Sequence, residues 1–242
     1  MNLKSIISKL DSSLRYLQVS PLARRIRREG LTYLSPVKIY QIEQELKRIN
    51  AANVQGDFAE FGIALGGSAI LLAKNMTAPR RFHGFDVFAM IPPPDRAKDG
   101  DKSVERYEKI KDGKSTGING EEYYGYRKDL YETVMDSLAR FDKPVKSGSD
   151  VSLYRGLFED TWPDASTAIT KLALVHIDCD WYEPVKYCLE ASDGKLSVGG
   201  VVVIDDYFAY PGAKSATDEF LATHRNYSIA CRHKHLIIHK NA

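Results

Sequence analysis

An α/β fold, with a mostly parallel Rossmann-like sheet and helices on both faces, is predicted by three stretches of this sequence. In residues 171–207, two short runs, LALVHI at 172–177 and VVVI at 201–204, are apolar at every position. Strands without alternation are those covered on both faces, which suits parallel strands between helical layers. Between the two runs, residues 182–192 have helical spacing, Gly194 stands as a stop, and Gly199-Gly200 are expected to turn the chain into the second strand. In residues 56–74, a strand, a glycine loop and a helix follow one another as in the opening unit of such a sheet. Finally, residues 227–231 and 236–239 form a closing antiparallel hairpin.

Each run of the 171–207 stretch ends in carboxylates: Asp178 and Asp180 after the first, Asp205 and Asp206 after the second. Open parallel sheets bind ligands beyond the carboxyl ends of their strands, so four acids converge on that edge. Four uncompensated negative charges would repel one another, and a hard cation with oxygen ligands, magnesium or calcium, would relieve them. The plainer alternative is that these acids only cap helices and turns.

The 242 residues suffice for one α/β domain with an appendage, and 43% hydrophobic with 27% charged residues is an ordinary globular balance. A net charge of +2 argues for no polyanionic partner. Cys179, Cys188 and Cys231 have neither the pairing of a disulfide framework nor metal-site spacing, so a reducing cytoplasmic setting fits. Cys179 lies between two acids, but lacks the His and Asn partners of a nucleophile and reads as a small filler. No run of 18 apolar residues exists and no signal peptide is recognised, so stable membrane insertion is not expected.

Residues 1–50 are expected to form a helical extension and residues 51–242 the main domain. Residues 2–29 are basic with an apolar stripe at Leu3, Ile6, Ile7, Leu10, Leu14 and Leu17, and Pro21 should divide them. Packing on the domain or a sister subunit, lying on a membrane surface and contacting nucleic acid all remain open for this segment; an oligomer is the expected partner state. Ser35 is the expected N-cap of a helix over 36–50. Glu60, just before the glycine loop, would repel a pyrophosphate but suit a cationic ligand such as S-adenosylmethionine. Asp86 closes the second strand, where a ribose-binding carboxylate belongs. Residues 89–126 read as a long, polar, irregular insertion beside the ligand edge, a candidate lid in which Tyr123, Tyr124 and Tyr126 either stack on a ring or pack plainly. A helix follows over 127–141, then a third strand over 150–156, a ligand-edge stretch at 158–163, a short helix from Asp164, and a helix over 212–224 before the hairpin.

Taken together, GDFAEFGIALGGS, FDVF with PPPD, YRGLFEDTWP, LALVHIDCDWYEP and GGVVVIDDY resemble the macrocin O-methyltransferase family, over roughly residues 30–224. The resemblance implies a class I methyltransferase fold, S-adenosylmethionine as methyl donor and a divalent metal, usually Mg2+. It places the metal carboxylates on Asp178, Asp205 and Asp206 and the general base on Asp180. It assigns Glu60, Gly62, Ser68, Asp86 and Asp178 to the methyl-donor pocket, flanked by Ser35, Gly156 and Phe158. The acceptor it implies is a sugar hydroxyl on a small molecule or glycan. The basic N-terminus and the lid depart from the family, so the acceptor itself does not carry over. His176, facing a buried strand, is expected to be structural.

Three alternatives compete. A nicotinamide-dependent oxidoreductase is disfavoured by Glu60 and by glycines spaced G-x-x-x-G-G rather than G-x-G-x-x-G. A non-catalytic binding protein and a catechol or polyphenol methyltransferase are the others. DNA-base methylation is disfavoured because acids stand after the fourth strand where an [DN]-P-P-[YF] sequence would be needed.

Overall fold

The computed structural model describes residues 13–242; the stripe residues Leu3, Ile6, Ile7 and Leu10 lie outside them. Seven strands form one sheet: β1 (Asp57–Phe61), β2 (Phe82–Asp86), β3 (Val151–Arg155), β4 (Leu172–Ile177), β5 (Leu196–Ile204), β6 (Tyr227–His233) and β7 (His235–Lys240). Their spatial order is β3-β2-β1-β4-β5-β7-β6. The first five are parallel, whereas β7 pairs antiparallel with both β5 and β6. The order reverses between β1 and β4, the switch point at which such sheets bind ligands.

Helices cover both faces. On one lie α1 (Pro21–Arg28), α2 (Pro36–Ala51), α3 (Gly67–Lys74) and, following α4 (Arg96–Lys111), α5 (Leu130–Arg140). Ile26, Ile39, Leu46, Leu72, Val134 and Leu138 join one core cluster there with Phe58, Leu174 and Val203 of the sheet. On the other face, α6 (Phe158–Ala168), α7 (Tyr182–Asp193) and α8 (Pro211–Thr223) bury Trp162, Val185, Leu189 and Phe220 against Phe61, Val175 and Ile204. Every residue of β2 and β4 is buried, which accounts for their lack of alternation.

The N-terminal helices break where proline and serine predict. Residues 13–18 are helical, Ser20 Oγ accepts the Ala23 amide at 3.1 Å, and Pro21 opens α1. Ser35 likewise caps α2, with Pro36 at its start. Both helices bury apolar residues in the same core as the sheet.

Three expectations are corrected. Residues 89–126 are not irregular: they contain the 16-residue α4, capped by Asp95 and kinked at Gly100 (φ 74°), followed by two short 3-10 turns. Only Asp99, Ser103 and Ile110 of α4 are buried, so no apolar stripe announces it. The helix expected from Asp164 starts instead at Phe158 and contains Pro163 internally. Gly199-Gly200 do not precede β5 but lie within it; Leu172 pairs with Leu196 while Leu174 pairs with Val201, so the glycines form a bulge, with Gly199 at φ 78°.

Candidate functional site

Backbone ladders aim the acids. The Asp178 amide donates to Phe61 O and the Asp205 amide to Ile177 O, each at 2.9 Å, extending the β1–β4 and β4–β5 pairings by one residue. Those extensions carry Asp178, Asp205 and Asp206 to one corner, where one carboxylate oxygen from each lies within 4.8 Å of the others. Gly62 makes this approach possible. At φ 93°, a Cβ built on it would stand 1.9 Å from Asp178 O, so no other residue fits between β1 and β4.

Asp180 adopts φ 62°, an uncommon left-handed conformation outside glycine. The Trp181 amide donates to Cys179 O at 2.7 Å, closing a three-residue turn around it. The Asp180 amide donates to Asp206 Oδ2 at 3.2 Å. Asp206 thus ties the turn to the neighbouring strand end, and all four acids meet as expected.

Burial dominates their electrostatics. Burial and the charges of Asp205 and Asp206 push Asp178 well above the usual carboxylate range, and burial with Asp206 does the same to Asp180. Asp206 is pushed up to about 6 by burial and by Asp205. Asp205 runs the other way: burial would raise it, but the neighbouring His235 and the Lys38 ammonium outweigh burial and hold it at about 2. The donor set is all oxygen and the Asp205 Oδ1 atom is buried without a hydrogen-bond partner. An unsatisfied acceptor beside clustered carboxylates fits a small hard cation.

These acids floor a cavity of about 700 Å³. Gly62, Asp86, Phe158, Asp178, Asp180, Asp205 and Asp206 line it; Ser35, Glu60, Ser68 and Gly156 do not. Asp86 spends one oxygen on the glycine loop and the other on the turn after its own strand: Oδ2 accepts Ile63 N at 2.6 Å and Ala64 N at 3.1 Å, and Oδ1 accepts Phe88 N at 2.6 Å. It therefore shapes the loop as well as facing the cavity. Glu60 is corrected outright as a cavity residue. It is 0% exposed and bonds His176 Nδ1 at 2.7 Å, because the β1 pleat turns it to the face covered by α2. His176 is structural, as expected. Burial and a contact with Cys188 raise the Cys179 thiol well above its usual value, so it remains protonated and inert.

The insertion supplies the outer wall through Ile91, Arg106, Tyr123 and Tyr124, faced by Tyr210. Tyr126 does not line the cavity; its hydroxyl donates to Ile110 O at 2.6 Å and accepts Ser115 N at 3.1 Å, a packing role. Sequence reasoning missed Lys38, Arg106 and Tyr210. Lys38 alone carried a signal: it sits in the first turn of α2, where the helix dipole disfavours a cation.

The family model of Macrocin-O-methyltransferase (TylF) matches residues 24–228. A Streptomyces niveus protein, demethyldecarbamoylnovobiocin O-methyltransferase, is 29% identical over 79% of this chain and 68% of its own length. A Streptomyces olivaceus protein, 8-demethyl-8-(2,3-dimethoxy-alpha-L-rhamnosyl)-tetracenomycin-C 4'-O-methyltransferase, is 30% identical over 67% of this chain but only 57% of its own length. Among solved structures, the O-methyltransferase NovP superposes with a TM-score of 0.71 at 24% identity, covering 88% of this chain and 83% of that one. Among the described residues, no helix is long and apolar enough to cross a membrane.

Proposed function

This chain belongs to the macrocin-O-methyltransferase (TylF) family and is an O-methyltransferase; on that premise we propose that it moves the methyl group of S-adenosylmethionine to a sugar hydroxyl of a small molecule. The observation that carries this reading is the meeting of Asp178, Asp180, Asp205 and Asp206 on the floor of one cavity, beside the Gly62 loop.

A sugar hydroxyl and a carboxylate are badly mismatched as acid and base. A divalent cation, when bound, supplies positive charge that narrows this gap. Asp178, Asp205 and Asp206 are the residues that would hold it. Asp180 receives the hydroxyl proton as the oxygen–methyl bond forms and the carbon–sulfur bond breaks, leaving S-adenosylhomocysteine. Its turn, pinned by Asp206, presents the carboxylate to the cavity. Gly62, Asp86 and Phe158 line the donor side. The insertion walls the acceptor side, where aromatic faces of Tyr123, Tyr124 and Tyr210 suit a sugar ring. Holding both reactants at contact distance supplies much of the remaining rate.

The relative from Streptomyces olivaceus is named for methylation at the 4' position of a rhamnosyl group, which favours a deoxysugar on a polycyclic carrier as the first acceptor to try. Calorimetric titration with S-adenosylhomocysteine, with and without Mg2+, tests the donor. Micromolar binding is expected; a folded protein that binds none under either condition would remove the reading. A panel of glycosylated and catecholic acceptors then separates sugar from phenol hydroxyls.

A further inference from the structure

One charge reaches the acid corner from outside the sheet. Lys38, in the first turn of α2, extends to the end of β5 and donates to two oxygens of a single residue. Its ammonium lies 3.2 Å from the Asp205 carbonyl and 2.5 Å from Asp205 Oδ2. Bridging a residue's own carbonyl and carboxylate restrains both the local backbone and the side-chain torsion. The side chains are 19% and 8% exposed, so water competes little for the contact. Asp205 Oδ1 is left as a buried acceptor with no hydrogen-bond partner, the His235 Nδ1 atom standing 3.7 Å away. One oxygen is thus occupied by the clamp and the other is available.

We propose that Lys38 is a positioning residue, which holds Asp205 through its carbonyl and Oδ2 and so orients that carboxylate for a divalent cation shared with Asp178 and Asp206. The inference rests on the cation reading given above. Charge bookkeeping agrees with it. Against the three carboxylates that would hold it, a divalent cation leaves one negative charge uncompensated, and the Lys38 ammonium offsets that one, so that Asp180 is the remaining acid of the corner. Hydrogen-bonded partners of this kind fix the orientation of metal-ligating carboxylates, and their loss weakens metal affinity.

The test is calorimetric titration of the full chain with Mg2+ alone, without methyl donor or acceptor, for wild type, Lys38→Met, Lys38→Gln and Lys38→Arg. Circular dichroism on the same samples establishes that each is folded. Both neutral variants are expected to lose about ten- to a hundredfold in Mg2+ affinity, and Lys38→Arg, which keeps the charge, to lose less. A purely structural lysine would lower thermal stability without moving the affinity of the folded protein. Should Lys38→Met fail to fold, Lys38→Gln, which retains a donor, decides the question. A folded neutral variant that binds Mg2+ as tightly as wild type, or more tightly, overturns the role of Lys38 while leaving the cation site standing. A folded wild type that takes up no Mg2+ overturns both.

Discussion

The Asp99 carboxylate accepts the Tyr182 amide at 2.7 Å across 83 positions of sequence, so the insertion caps the helix that follows the Asp178–Asp180 turn. Trp181, at the N-cap of α7, makes no side-chain cap bond, and Asp99 takes its place. Asp99 Oδ2 also accepts the Asp95 amide at 2.9 Å, and Lys98 pairs with Glu183. Trp181 Nε1 donates to Pro92 O at 2.9 Å. The insertion is therefore stapled to the loop that carries the base. Gly212 leaves room for the staple: a Cβ there would stand 1.7 Å from Asp99 Oδ1.

Asp99→Ala should cost about 1–3 kcal/mol, because it leaves a buried amide unpaired at a helix start. Gly212→Ala should produce the same phenotype by displacing Asp99. Thermal unfolding reads the stability loss, and the acceptor KM should rise more than kcat falls. Wild-type stability in Gly212→Ala would show that the staple is not held there.

Asp180→Asn preserves size, and asparagine tolerates the φ of 62° found at this position. The variant should bind Mg2+ and S-adenosylhomocysteine as wild type does, yet lose methyl transfer by about a hundredfold or more, the range general bases contribute. Single-turnover assays at saturating donor measure this. Full activity would remove Asp180 as the base.

Asp206 gives a pH dependence of definite sign. Its folded value is raised to about 6, above the ordinary carboxylate value of 3.8. The folded state therefore grips the proton more tightly, and stability falls as pH climbs from about 4 to about 6. A cation competes with that proton and with the one Asp178 holds, so Mg2+ affinity should rise with pH through the same window and go on rising above it. Asp206→Asn should flatten the profile, weaken Mg2+ binding and raise the metal-free unfolding temperature above pH 7. The stability gain is bounded at about 3 kcal/mol. Calorimetry at a series of pH values reads the affinity.

The buried Glu60–His176 pair should govern stability. His176→Ala leaves a 0% exposed carboxylate without its partner, a change that costs about 3–5 kcal/mol. Burial would lower the His176 value, but the Glu60 hydrogen bond and charge outweigh burial and raise it. Its contribution is therefore complete below the ordinary histidine range and fades as pH rises through the raised value. Urea denaturation across that range tests both statements; an unchanged midpoint in His176→Ala would contradict them.

The sequence by itself determined the strands and the edge on which chemistry gathers. Uninterrupted apolar runs at 172–177 and 201–204 are local properties that specify strands buried on both faces, and the acids that end them must project beyond the sheet. Pro21, Ser35 and Pro36 set helix starts for equally local reasons. Asp86 was legible because its position at a strand end is given by the strand pattern, and Gly62 through the family resemblance of the glycine loop. Tertiary structure alone decided which polar groups meet. Lys38 reaches Asp205 across 167 positions and Glu60 reaches His176 across 116. Neither pairing is visible in sequence, because each joins residues far apart along the chain, and a buried charge is tolerable only once its partner arrives. Periodicity assigns a residue to a face but not to a neighbour, and it was silent on α4, whose buried positions are mostly polar. The face came from the sequence; the partner across it came from packing.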